Sequence, residues 1–240
     1  MVVQNPGADS PFLLVCDHAG RAVPKALGDL GLPPQEFERH IAWDLGALPL
    51  AQRMAERLNA CLIAQPYSRL VIDCNRDPVR PDAFVTLADG THVPANLELD
   101  ARGRQARTRA IHAPYHRAIS DELDARAARG LPTALILVHS FTPVMRGFQR
   151  PWEIGVLHQG NALSLKALAW LKANSGLTVG DNAPYAMDDV DYTAPVHAQR
   201  RGLEYLELET RQDLLADAAG QARFAELYAR LLAEVAGPGL

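Results

Sequence analysis

The feature that most constrains this chain is the run 131–138 (LPTALILV), which is almost unbroken in its apolar character and stops at His139-Ser140. A strand with no polar face must be covered on both sides, so it belongs at the centre of a sheet between two layers. Shorter apolar runs repeat the pattern. Residues 11–16 (PFLLVC) stop at Asp17-His18-Ala19-Gly20, 153–157 stop at His158, and 203–208 lead into Glu209. Residues 61–65 and 70–74, separated by Pro66 and Tyr67-Ser68-Arg69, read as two strands joined by a turn, the second closed by Asn75-Arg76.

Helical spacing fills the intervals. It covers 45–58, where Pro49 is admissible only near the first turn and Asp44 falls at or beside the N-terminus. It covers 96–129, rich in charge pairs, with Pro114 expected to kink or split the helix. It covers 161–172, with Asn161 as N-cap, and 218–235. Strands alternating with helices predict a three-layer α/β fold, with a mostly parallel or mixed sheet and helices on both faces. At 240 residues, one domain spanning 1–240 accounts for the whole chain.

A formal charge of -4, with both signs interleaved, leaves no footprint for nucleic acid or an anionic membrane. No apolar stretch approaches the roughly 20 residues needed to span a bilayer, and residues 1–10 lack a basic segment followed by an apolar run. A cytoplasmic protein is expected. Cys16, Cys61 and Cys74 have no CxxC spacing and sit in or beside apolar runs, as buried free thiols do. There is no internal repeat and no glycine-rich phosphate loop after any strand.

Ligands of open α/β sheets collect outside the carboxyl ends of the strands. There the sequence places Asp17 and His18, Asn75 and Arg76, His139 and Ser140, and Glu209 with Arg211. A catalytic zinc takes three protein ligands from His and Asp or Glu and keeps a fourth position for water. His18, His139 and one carboxylate would suffice. In 206–210 (LELET), Glu207 and Glu209 share one face of a strand, with Leu206 and Leu208 on the other. Such a carboxylate can serve as the general base that a metal site needs for hydrolysis. Ser140 has no G-x-S-x-G elbow to present it as a nucleophile.

Five separated motifs occur in matching order: DHAG (17–20) with Pro24, HIAWDLGA (40–47), YSRLVIDCNR (67–76), VHSFTP (138–143) and HAQRRGLEYLELETRQDL (197–214). Together they resemble the N-formylglutamate amidohydrolase family, itself similar to zinc carboxypeptidases and acylamino-acid deacylases. The resemblance implies a zinc-carboxypeptidase-like fold and one zinc per chain. It also implies two His ligands matched by His18 and His139, an Asn-Arg pair matched by Asn75-Arg76, and a catalytic Glu matched by Glu209. In carboxypeptidases the second ligand is a Glu three residues after the first His. Here that position is Arg21, which cannot bind a metal. Asp44, inside HIAWDLGA, is the carboxylate chosen instead, with Asp17 and a plain helix-capping role for Asp44 as the alternatives.

The activity implied is hydrolysis of a small anionic N-acyl amino acid, N-formylglutamate foremost, by a zinc-bound water that Glu209 deprotonates. The metal and Arg76 would stabilise the oxyanion. Guanidinium groups bind carboxylates in bidentate fashion, so Arg76 with Asn75, and Arg69 if it is not tied to Asp73 or Asp77, are candidate substrate contacts. Asn182, Tyr185 and His197 match family positions and are expected to line the pocket. His40, His112, His116 and His158 are assigned to the surface or core, and Trp43, Trp152 and Trp170 to apolar packing. Two other readings stay open: a zinc amidase or peptidase acting on a larger peptide-like substrate, and a non-catalytic metal- or ligand-binding protein. Oligomeric state is not legible.

Overall fold

A computed structural model describes residues 1–237. The last three residues of the expected 1–240 unit lie outside the described residues. Its centre is a seven-stranded mixed sheet of β1 (Val2–Gln4), β2 (Phe12–Cys16), β3 (Cys61–Ala64), β4 (Ala134–Phe141), β5 (Ile154–Leu157), β6 (Val179–Asp181) and β7 (Glu204–Arg211). The spatial order is β1-β3-β2-β4-β7-β5-β6. Strands β3, β2, β4 and β7 form a parallel block, β1 and β5 pair antiparallel to β3 and β7, and β6 runs parallel to β5. The apolar run read from sequence is β4, flanked by β2 and β7 and buried along its whole length.

The pleat sorts each strand into two cores. Leu14, Ile136, Leu206 and Leu208 face helices α1 (Ala47–Leu58), α4 (Ala162–Asn174) and α5 (Ala218–Val235). Leu13, Val15, Ile63, Leu135 and Leu137 face the opposite layer, which contains Tyr115, Ile119 and Leu123 of α3 (Ala113–Ala128). The layers are therefore helix, sheet, helix, as the alternation of patterns predicted. Pro49 is the third residue of α1, where its missing N–H costs no helical bond. The helical stretch before β4 is split: α2 (Ala101–Arg107) passes through a π turn at Thr108–His112 into α3, and Pro114 follows that turn. The three cysteines are free and buried. No helix among the described residues is long and apolar enough to cross a membrane.

One expected strand is absent. Residues 70–74 are turns and coil, although Leu70, Val71, Ile72 and Cys74 are almost fully buried. Their neighbourhood bonds locally and to distant loops: Arg69 N donates to Ala42 O, Val71 N to Ser68 O and Asp73 N to Ala83 O. The apolar run covers the sheet rather than joining it, a distinction periodicity cannot make for so short a segment. Asn75-Arg76 consequently closes a covering loop, not a strand.

The chain leaves β2 for α1 on one face and β3, then returns through α3 on the other face to β4, so the direction of winding reverses at β2. Such a reversal opens a crevice beyond the carboxyl ends of the central strands. Register then aligns the chemistry, because Val15 pairs with Leu137, Leu137 with Glu207 and His139 with Glu209.

Candidate active site

Asp44 is the hub of the site. Its backbone N–H donates to His18 O at 2.9 Å, which fixes the start of the α1 segment against the turn after β2. Its Oδ2 lies 2.9 Å from His139 Nδ1 and 3.6 Å from His18 Nδ1, and accepts the Ser140 N–H at 3.2 Å. Its Oδ1 accepts from Arg69. The alternative role as helix cap is not the one observed, since Gly46 occupies the N-cap of α1 and no side chain caps that end.

Each imidazole has its second nitrogen near another carboxylate, and that of His18 is bonded to it. His18 Nε2 is 2.7 Å from Asp73 Oδ1, which also accepts the Asn75 N–H, and His139 Nε2 is 3.4 Å from Asp17 Oδ2. Asp17 is itself held by Thr193 Oγ1 at 2.8 Å. A carboxylate behind a histidine fixes its tautomer and raises its basicity, the usual support for a metal-binding imidazole. One donor atom from each of His18, Asp44 and His139 falls within 4.8 Å of the others. His18 Nδ1, buried and aimed at Asp44, has no hydrogen-bond partner among the described residues, and neither has His139 Nε2 beside Asp17. An orphaned ring nitrogen beside two further donors in a His2Asp set is what a tetrahedral divalent cation would satisfy.

Electrostatics favour a cation there. Burial alone would push the carboxyl of Asp17 up, yet bonding to and charge on His139 hold it down at about 2. Asp44 is likewise held well below the usual range by Arg69, His18 and His139 against the cost of burial. Against their own burial, His139 is pushed well up by Asp17 and Asp44, and His18 up by Asp73 and Asp44. Carboxylates outnumber imidazoles around a dry centre, so the metal-free site draws protons that a metal ion would displace.

The crevice beside this cluster is a cavity of about 270 Å³, whose lining includes His18, Asp44, Arg69, Arg76, His139 and Tyr185. Its floor is β7. Glu207 and Glu209 are 2% and 6% exposed, and each leaves one buried carboxylate oxygen without a partner among the described residues. Because β7 is central, these carboxylates face the cleft rather than a solvated edge. Burial pushes Glu209 up to about 7, with His139 opposing and Asp44 reinforcing, and pushes Glu207 well above the carboxylate range.

Two glycines permit the close approaches that build the walls. A Cβ on Gly20 would stand 2.4 Å from Pro66 O, so the DHAG turn can lie against the segment leading to Arg69. A Cβ on Gly155 would stand 2.4 Å from Ala183 O and 3.2 Å from Glu209 Cβ, so the loop carrying Tyr185 can cross β5.

Of the ten residues expected at the site, eight line the cleft: His18, Asp44, Arg69, Asn75, Arg76, His139, Tyr185 and Glu209. Two do not. Asn182 spends its amide on the backbone of His158, accepting its N–H at 2.8 Å and donating to its carbonyl at 3.0 Å. His197 lies behind the cleft, 1% exposed, stacked on His116 with its Nε2 2.8 Å from His116 Nδ1. Asn75 is also a structural clamp, its Oδ1 accepting the N–H groups of Tyr192 and Thr193. Arg69 lines the cleft and pairs with Asp44, not with the alternative partners Asp73 or Asp77. Sequence reasoning missed Asp73 as the partner of His18, although it sits inside YSRLVIDCNR. It also missed His40 and Asp191 in the lining, and Arg150, which donates to Tyr185 Oη at 2.9 Å and lies over its ring. His40 opens the motif HIAWDLGA, whereas Asp191 and Arg150 carry no local signal.

Solved structures share this architecture. A crystallised gene product of Agrobacterium tumefaciens superposes with a TM-score of 0.95 at 38% identity, covering 98% of this chain and 94% of that one. The N-formylglutamate amidohydrolase of Ralstonia eutropha JMP134 superposes with a TM-score of 0.70 at 19% identity, covering 98% and 96%, a likeness of fold. No curated protein matches the chain. Residues 10–216 match the family N-formylglutamate amidohydrolase, and the chain belongs to that family of amide-bond hydrolases.

Proposed function

We propose that this protein hydrolyses the amide bond of a small anionic N-acyl amino acid, N-formylglutamate foremost, giving glutamate and formate, with one zinc ion per chain held by His18, Asp44 and His139. The observation that carries the reading is the orphaned His18 Nδ1, which converges with Asp44 and His139 beside the unpaired carboxylate of Glu209. When bound there, a divalent metal supplies a Lewis acid that polarises a carbonyl and makes water more acidic.

The side chains do the rest. Glu209 stands next to His139 across the β7–β4 pairing, so it can accept the proton of an attacking water and hand it to the departing nitrogen. Its elevated proton affinity suits both halves of that task near neutral pH. Arg76 offers a planar donor pair to the substrate carboxylate, and Arg69 and Tyr185 line the same cleft. Asp73 holds the His18 imidazole in orientation, and Asp44 that of His139. A cavity of about 270 Å³ suits an acyl amino acid better than an extended peptide.

Formate release from N-formylglutamate tests the reading, with chelation expected to abolish it and added zinc to restore it. Equal turnover of the diamide analogue lacking both carboxylates would discard the anion anchor. Full activity after the metal is stripped would discard the metal site.

A further inference from the structure

We infer that Asp191 is an internal competitor for the anion seat on Arg76, so that this residue sets how strongly the cleft takes up a carboxylate. The inference rests on the proposed reading of Asn75-Arg76 as that seat. Asp191 Oδ1 accepts from Asn75 Nδ2 at 3.2 Å and from Arg76 Nη1 at 3.4 Å, while its Oδ2 accepts the Asp188 N–H at 3.2 Å. The chain thus presents one of its own carboxylates to the two side chains that would receive the substrate's. Asp191 lies in the lining of the same cleft as Arg76, Glu207 and Glu209, with its side chain 10% exposed.

The pairing has the character of a placeholder. A charge-assisted Arg–carboxylate bond at full strength is bidentate, with N···O near 2.7–2.9 Å, whereas here one oxygen meets one nitrogen at 3.4 Å. Arg76 Nη1 is shared with the carbonyl of Asn75 at 2.8 Å, and its Nε is 3.9 Å from Asp82. Burial also works against the Asp191 carboxylate, outweighing the pull of Arg76. A substrate carboxylate arriving at Arg76 would face Asp191 across the same guanidinium, and two like charges at one donor edge repel. Either the incoming anion displaces Asp191 or it binds more weakly than Arg76 alone would allow. A neutral ligand meets no such penalty.

Asp191→Asn removes the charge while keeping an oxygen to accept from Asn75, and Asp191→Ala removes the group altogether. Titration calorimetry of the full chain with L-glutamate as probe should show binding about tenfold tighter in both variants than in the parent, the scale of one close charge pair. In an Arg76→Gln background the gain should vanish. Unchanged or weaker glutamate binding in both Asp191 variants would overturn the inference and make Asp191 a support for Arg76. A gain that survives the loss of Arg76 would overturn it as well. A parent that binds glutamate but releases no formate from N-formylglutamate would sink the proposed reaction and leave the Asp191 comparison readable. A parent that turns over normally, with no gain in either variant, would sink only this inference.

Discussion

Replacing Glu209 by Gln should abolish turnover and, at the same time, stabilise the metal-free protein above neutral pH. The amide keeps the shape of the side chain but cannot accept a proton from water. Loss of a general base commonly costs on the order of 10²–10⁴-fold in kcat, or roughly 3–5 kcal/mol of barrier. The stability effect follows from burial. The folded protein holds the Glu209 proton up to about pH 7, whereas an ordinary glutamate releases it near 4.5. Between those values the folded state binds more protons than the unfolded one, so stability falls as pH rises through the window. At roughly 1.4 kcal/mol per pH unit, the penalty reaches roughly 3–4 kcal/mol above pH 7. A neutral amide never incurs it. Denaturant unfolding of both metal-free proteins at pH 5 and pH 8 should therefore show the variant gaining on the parent as pH increases, while a formate assay shows its activity gone. A variant that kept kcat within a few-fold of the parent would refute the base assignment. One that was less stable than the parent at pH 8 would refute the argument from burial.

Three further outcomes are expected. Glu207→Gln should lower kcat by no more than about tenfold, because burial, opposed by His139 and reinforced by the Asp191 and Glu209 carboxylates, favours the neutral form of Glu207 that an amide copies; a larger loss than in Glu209→Gln would reassign the base. His139→Ala should bring zinc content, measured by mass spectrometry on dialysed protein, from about one per chain to well below it, and an unchanged metal content would disprove the ligand set. Gly155→Ala should cost about 1–3 kcal/mol in thermal or denaturant unfolding, since the added methyl meets the Ala183 carbonyl and the Glu209 side chain; an unshifted midpoint would show that the Tyr185 loop is free to move.

The sequence alone determined the elements whose cause is local. Runs apolar on both faces, such as that of β4, have to be central strands, and a polar residue directly after one, such as His18, arrives at the carboxyl edge. The period of two put Glu207 and Glu209 on one face of β7 and their leucine neighbours in the core, which needs no knowledge of the partner strand. Everything decided across long separations was settled by the tertiary structure. Residues 70–74 read as a strand because burial, not pairing, makes a run apolar. Asp17 and Asp44 were equally good carboxylates on the page, and only the approach of the α1 segment to the turn after β2 puts Asp44 between the two imidazoles, with Asp17 behind His139. Asn182 and His197 sit inside motifs or at positions that suggest a lining role, but their polar atoms are engaged by His158 and His116. Asp73 on His18, Asp44 on His139 and Asp191 on Asn75 are hydrogen-bonded across 55, 95 and 116 residues of chain. Such pairs obey no period in the sequence, because the winding of the sheet, rather than the spacing of residues, brings them together.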